Sequence, residues 1–96
     1  MTKFEWDPAK AASNLRKHGI SFEMAATVLQ DQFARSVEDE FHGSREERWI
    51  TMGLSRNGKL LVVSHTFFES DNGVLVRIIS ARPATSAERR QYEVGN

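Results

Sequence analysis

Asn57-Gly58 stands between two runs in which apolar and polar residues alternate, a combination that signals a β-hairpin. The first run is Arg48-Trp49-Ile50-Thr51-Met52-Gly53-Leu54-Ser55, and the second is Leu60-Leu61-Val62-Val63-Ser64-His65-Thr66-Phe67. A two-residue turn at Asn57-Gly58 predicts Leu54 opposite Leu61, Met52 opposite Val63 and Ile50 opposite His65. That register gathers Ile50, Met52, Leu54, Leu61 and Val63 on one face. Trp49, Thr51, Gly53, Ser64 and Thr66 fall on the other, as suits a sheet covered by helices on one side and open on its reverse. Ser70-Asp71-Asn72-Gly73 predicts the next turn, and Val74 to Ala81 a third long strand. The expected sheet is an antiparallel meander.

Helical signals flank these strands. Asp7 before Pro8 predicts a helix start, because the carboxylate accepts free N–H groups of the first turn and Pro needs no hydrogen-bond partner there. Ala11, Ala12 and Leu15 recur at helical spacing over Ala9 to Lys17, and Gly19 supplies the left-handed stop. Ser21 caps a second helix, with Phe22, Ala25, Ala26, Val28 and Leu29 as its apolar stripe. Thr85 with Glu88 three residues later is a capping box and predicts a short C-terminal helix. Phe4-Glu5-Trp6 reads as a brief edge strand and Phe33 to Val37 as another. With 96 residues, 40% hydrophobic and 27% charged, residues 1–96 suit one α+β domain, its two N-terminal helices packed on one sheet face.

Several chemistries lack their residues. The chain has no cysteine, so disulfides, thiolate catalysis and cysteine-ligated metals are out. His18, His42 and His65 have no metal-site spacing, and neither a phosphate-binding glycine loop nor a serine-hydrolase elbow occurs, so no cofactor is expected. The charged N-terminus and short apolar runs predict a soluble, cytoplasmic protein without a membrane partner. Glu38-Asp39-Glu40 and Glu46-Glu47 read as solvated surface.

Thirteen basic and thirteen acidic side chains cancel overall, but Arg77, Arg82, Arg89 and Arg90 cluster late in the chain with Glu88 as the one acid among them. Arg77 interrupts an otherwise apolar strand. It faces solvent on the uncovered side, or pairs with a carboxylate such as Glu47, or belongs to a phosphate-binding surface with Arg82, Arg89, Arg90 and Tyr92. His65 is either a strand histidine satisfied by a backbone carbonyl or an acid–base group titrating near neutrality.

The ordered set Phe4-Glu5-Trp6-Asp7-Pro8, Lys10, Asn14, Lys17-His18-Gly19-Ile20-Ser21-Phe22, Glu47-Arg48-Trp49, Met52-Gly53, Val76 to Arg82, Glu88-Arg89 and Tyr92-Glu93 resembles the BrnT family of small bacterial toxins. The resemblance implies a RelE-like fold and a ribonuclease toxin of a type II toxin–antitoxin pair. It also implies neutralisation by a BrnA-like ribbon-helix-helix antitoxin, through which alone operator DNA would be met. Pro83 departs from the pattern, standing where the family usually has lysine or another polar residue.

Without a metal, cleavage would use the substrate's 2′-hydroxyl, and arginines would stabilise the phosphorane. The candidate catalytic residues are Arg77, Arg82, His65 and Tyr92, with Glu88 as a base or merely the capping-box partner. Arg48, Arg89 and Arg90 would contact RNA, and Trp49 would either stack on a base or belong to the core. The competing expectation is a non-catalytic module that grips a protein partner through the same basic face.

Overall fold

The computed structural model describes residues 1–39 and 47–95; Glu40, His42 and Glu46 lie outside them. The elements run β1 (Thr2–Glu5), α1 (Pro8–His18), α2 (Phe22–Val28), β2 (Arg35–Glu38), β3 (Arg48–Leu54), β4 (Leu60–Ser70), β5 (Gly73–Pro83) and α3 (Ser86–Val94). The boundaries follow local chemistry. Asp7 accepts from the Ala9 N–H at 2.8 Å and Pro8 fills the first turn. Gly19, at φ 72°, ends α1 with its N–H on the Leu15 carbonyl. Ser21 caps α2 through the Met24 N–H, and Thr85 and Glu88 form the full capping box of α3.

β2 to β5 form the expected antiparallel meander, but the sheet is mixed. Its order is β1-β5-β4-β3-β2, with β1 joining β5 in parallel. Because long stretches of chain separate β1 from β5, no tight turn imposes an antiparallel pairing.

The hairpin register is one residue away from the expected one. Leu54 stands opposite Leu60, Met52 opposite Val62, Thr51 opposite Val63 and Trp49 opposite His65. The Gly58 N–H bonds the Ser55 carbonyl at 2.9 Å and the Ser55 N–H bonds the Lys59 carbonyl at 2.8 Å. The loop is therefore the three residues Arg56-Asn57-Gly58, with Gly58 left-handed at φ 82°, a regular alternative to the two-residue turn. One extra loop residue inverts the faces of β3 relative to β4. Thr51 and Gly53 consequently join Leu61 and Val63 beneath α1 and α2, and Ile50, Met52 and Leu54 project from the reverse side.

The core lies between the sheet and α1–α2, built on Phe22, Ala25, Val28, Leu61, Val63 and Ile78. Trp6 closes one side, edge-on to Phe22 at a centroid distance of 6.0 Å. Asn14 of α1 is buried there and donates to the carbonyls of Ile20 (3.0 Å) and Ala81 (2.8 Å) while accepting from the Ala81 N–H at 3.1 Å. β1 covers β5 only from Val74 to Arg77, so Asn14 satisfies the backbone groups of Ala81 that lie beyond its reach.

A bulge in β5 decides which way two of the arginines point. Ser64 pairs with Ser80 but His65 with Ile78, leaving Ile79 as the extra residue. Five residues apart on a regular strand, Arg77 and Arg82 would point to opposite faces. The bulge brings both to the reverse face, and it puts Ile78 and Ala81 together in the core.

That reverse face is partly covered by α3, which buries no side chain completely. Polar ties hold it. Arg35 of β2 donates to the Gly95 carbonyl, the Tyr92 hydroxyl to Asp31 at 2.6 Å, and Arg82 to Glu88. Among the described residues no helix is long and apolar enough to cross a membrane.

Candidate functional site

The strand pairings align one residue per strand across the uncovered part of the reverse face: Glu5 on β1, Arg77 on β5, Thr66 on β4 and Arg48 on β3. The row continues past β2, where the Asp39 N–H bonds the Arg48 carbonyl at 2.7 Å. Charges along it read negative, positive, neutral, positive, negative. Arg77 and Arg48 flank Thr66 at two strand spacings, about 10 Å apart.

Arg77 donates through Nη1 to Glu5 Oε2, and the two side chains remain 44% and 42% exposed. At that exposure the pair adds little stability. Its effect is positional, fixing the guanidinium over a central strand. A depression of about 790 Å³ opens beside it, lined by Glu5, Glu47, Thr66, Phe68, Leu75 and Arg77. Phe68 is 65% exposed and Leu75 37%, so charged and apolar surface adjoin.

Arg82 shares this face but sits at the α3 end, in a two-pronged contact with Glu88 at 2.8 and 2.9 Å. Hydrogen bonds from Arg82 and then from the Thr85 N–H bring the Glu88 carboxyl down to about 2. A depressed carboxyl contributes stability above its unfolded value and loses it as pH falls through the folded one. Denaturant midpoints of the native protein and Glu88→Gln should therefore converge as pH drops from about 4.5 to about 2; a constant gap across that window would show that the contact carries no such linkage. Glutamine keeps an acceptor oxygen for the Thr85 N–H but sets an NH2 group in place of the oxygen that accepts the second prong from Arg82, so the gap measures the charge together with that prong.

Three other sequence candidates lie elsewhere. His65 is 5% exposed on the helix-bearing face. Its Nδ1 donates to the Thr66 carbonyl at 3.2 Å, its Nε2 shares a hydrogen bond with Thr51 Oγ1 at 2.7 Å, and Thr51 Oγ1 shares another with Ser36 Oγ at 2.6 Å. Burial pushes the imidazole below its ordinary value, partly opposed by the hydrogen bond to the Thr66 carbonyl. Trp49 stands opposite His65 on that same face rather than on the open one, its indole Nε1 shielded and without a hydrogen-bond partner among the described residues. The one-residue change of register moved it there.

Tyr92 of α3 donates to Asp31, and burial followed by that hydrogen bond pushes the phenol up to about 12. Burial raises Asp31, but hydrogen bonds from Tyr92, Leu54 and Phe33 outweigh it and hold the carboxyl below its usual value. Arg89 and Arg90 are exposed on α3.

The structure thus brings Arg77 and Arg48 into one row, puts Arg82 at the far end of the same face, and separates Trp49 and His65 from all three. Glu5, Glu47 and Thr66 complete the depression and were not among the site candidates read from sequence. The alternation Phe4-Glu5-Trp6 does turn Glu5 away from its aromatic neighbours, but no local signal links it to Arg77, 72 positions away. Among the described residues no group of three His, Asp or Glu side chains could hold a metal ion.

No curated protein matches this chain. Among solved structures, the 1.1 Å crystal structure of the Brucella abortus ribonuclease toxin BrnT is similar in fold, with 23% identity and a TM-score of 0.63 over 90% of this chain and all of that one. The overall fold is therefore shared despite low identity. The model of the family described as "Ribonuclease toxin, BrnT, of type II toxin-antitoxin system" matches residues 6–88, from Trp6 through the Arg77 row to Glu88, and the chain belongs to that family.

Proposed function

We propose that the chain cleaves single-stranded RNA at the uncovered sheet face, without a metal, and so inhibits translation until a small BrnA-like ribbon-helix-helix antitoxin binds it. The observation that carries this reading is Arg77, held by Glu5 on a central strand beside an open depression with Arg48 two strands away.

In this reaction the substrate's 2′-oxygen forms a bond to phosphorus and the bond from phosphorus to the 5′-oxygen breaks. The products are a 2′,3′-cyclic phosphate and a 5′-hydroxyl. Arg77 stabilises the added negative charge of the phosphorane, and Arg48 holds a neighbouring phosphate. Glu5 or Glu47, both lining the depression, takes the 2′-hydroxyl proton, and solvent returns one to the 5′-oxygen. Arg89 and Arg90 add attraction for the polyanion. Arg82, His65 and Tyr92 have polar atoms engaged inside the fold and act by holding the framework, as does Trp49 from its place beside His65.

Purified chain freed of any partner should cut single-stranded RNA in EDTA and leave cyclic phosphate ends. Its induction should arrest growth of a bacterial host, and a co-produced antitoxin should restore it. Folded protein that leaves RNA intact and growth unaffected would favour the non-catalytic module. Exposed Phe68 and Leu75 beside Arg77 suit that second reading, as a face that grips a protein.

A further inference from the structure

β2 is an edge strand whose four residues are all exposed, with Val37 at 61%. The Asp39 N–H is committed to the Arg48 carbonyl. Alternation along an antiparallel ladder then turns the backbone groups of residues 35, 37 and 39 toward β3 and those of Ser36 and Glu38 outward. An edge with unpaired donors and acceptors is a template for another strand.

We infer that this edge pairs with the same edge of a second copy of the chain, antiparallel, about a two-fold axis passing through Val37. The residues are self-complementary in that register. Ser36 of one copy stands opposite Glu38 of the other, and both have outward backbone groups, so the two symmetric pairs exchange four hydrogen bonds. The Val37 side chains meet each other at the axis. On the same face Arg35 stands opposite Asp39 of the second copy on either side of the valines; Asp39 already has an interaction within its own chain, and a carboxylate with about four acceptor sites takes a guanidinium donor as well.

Other registers lose this match. An axis through Glu38 sets two carboxylates face to face, and an axis through Ser36 leaves Arg35 opposite Val37. The guanidinium of Arg35 carries five donors, so its bond to the Gly95 carbonyl leaves others for the new contact. Two short strands bury less area than a permanent dimer needs, so association is weak and rises with concentration. This inference is independent of RNA cleavage.

The chain has no cysteine, which makes a sharp test available. In Val37→Cys the two thiols would lie at a non-hydrogen-bonded pair, with Cα atoms about 4.5 Å apart and within disulfide reach. Under mild oxidation this variant should cross-link at least tenfold faster than Phe33→Cys, whose site is also exposed but off the axis. Sedimentation of the unmodified protein should show a concentration-dependent dimer. Val37→Lys, which puts two ammonium groups face to face, should abolish the dimer while leaving the melting temperature unchanged. Equal cross-linking of the two cysteine variants, or self-association that survives Val37→Lys, would overturn the inference. It would also fall if the chain stayed monomeric at every concentration while Val37→Lys weakened antitoxin binding, since the edge would then belong to a different partner.

Discussion

Arg77→Ala is expected to slow RNA cleavage by about 10²-fold or more while leaving the fold nearly as stable as before. The rate effect follows from preorganisation: a donor already aimed at the phosphorane, on a strand flanked by β1 and β4, needs little rearrangement when charge develops. The small stability effect follows from exposure, because a half-exposed ion pair such as Arg77 with Glu5 contributes about 0–1 kcal/mol. Arg77→Lys should impair cleavage almost as severely, since a point charge cannot reproduce the fork that meets both Glu5 and a phosphate oxygen. Arg90→Ala, on the exposed surface of α3, should instead weaken binding and recover at low salt. Single-turnover cleavage rates and thermal midpoints measured on the same preparations separate the cases. A destabilised Arg77→Ala protein with full activity per folded molecule would remove Arg77 from the site and leave its bond to Glu5 as a structural contact.

The largest loss of stability should come from Asn14, a residue far from the open face. Its amide makes three buried hydrogen bonds, two to Ala81 and one to Ile20, and so joins α1, the loop before α2 and the bulged part of β5. Asn14→Ala strands two carbonyls and one N–H, and each buried unsatisfied group costs about 1–3 kcal/mol. The expected total of about 3 kcal/mol or more is a large share of the roughly 5–15 kcal/mol that holds a domain folded. It corresponds to a fall of roughly 12–24 °C in melting temperature. Asn14→Asp should be at least as damaging, because it faces two carbonyl oxygens with an acceptor. Urea midpoints would check both variants, and a loss under about 1 kcal/mol would mean that the Ala81 groups find other partners. Asn14 lies within the ordered residues that carry the family resemblance, yet its chemistry is invisible there: it completes a sheet edge that becomes incomplete only when β1 stops at Glu5.

What the sequence by itself determined is everything set within a few residues. The caps at Asp7, Ser21 and Thr85, the stop at Gly19, the helical and alternating periods and the order of eight elements depend on local dihedrals and nearby hydrogen bonds, and all were legible. The presence of a hairpin at Asn57-Gly58 belongs with them, as does the arginine set from Arg77 to Arg90.

The tertiary structure decided which way those elements face. Asn-Gly suits a two-residue turn and a three-residue loop alike, and the difference depends on whether Thr51 and Gly53 or Ile50 and Met52 fit beneath the helices. Gly53 settles that locally, since a Cβ there would press on Val28, Asp31 and Ala34 at 3.1 Å. The same choice sent Trp49 to the side of His65 and left Arg48 beside Thr66, two strands from Arg77. The bulge at Ile79 and the parallel docking of β1 are likewise long-range outcomes. Without the first, Arg82 would not share a face with Arg77, and without the second, Arg77 would have no Glu5. A pairing energy between strands some 70 positions apart has no local counterpart for a sequence pattern to display, which is why Arg77 and Arg48 could be singled out from the sequence while Glu5 and Thr66 beside them could not.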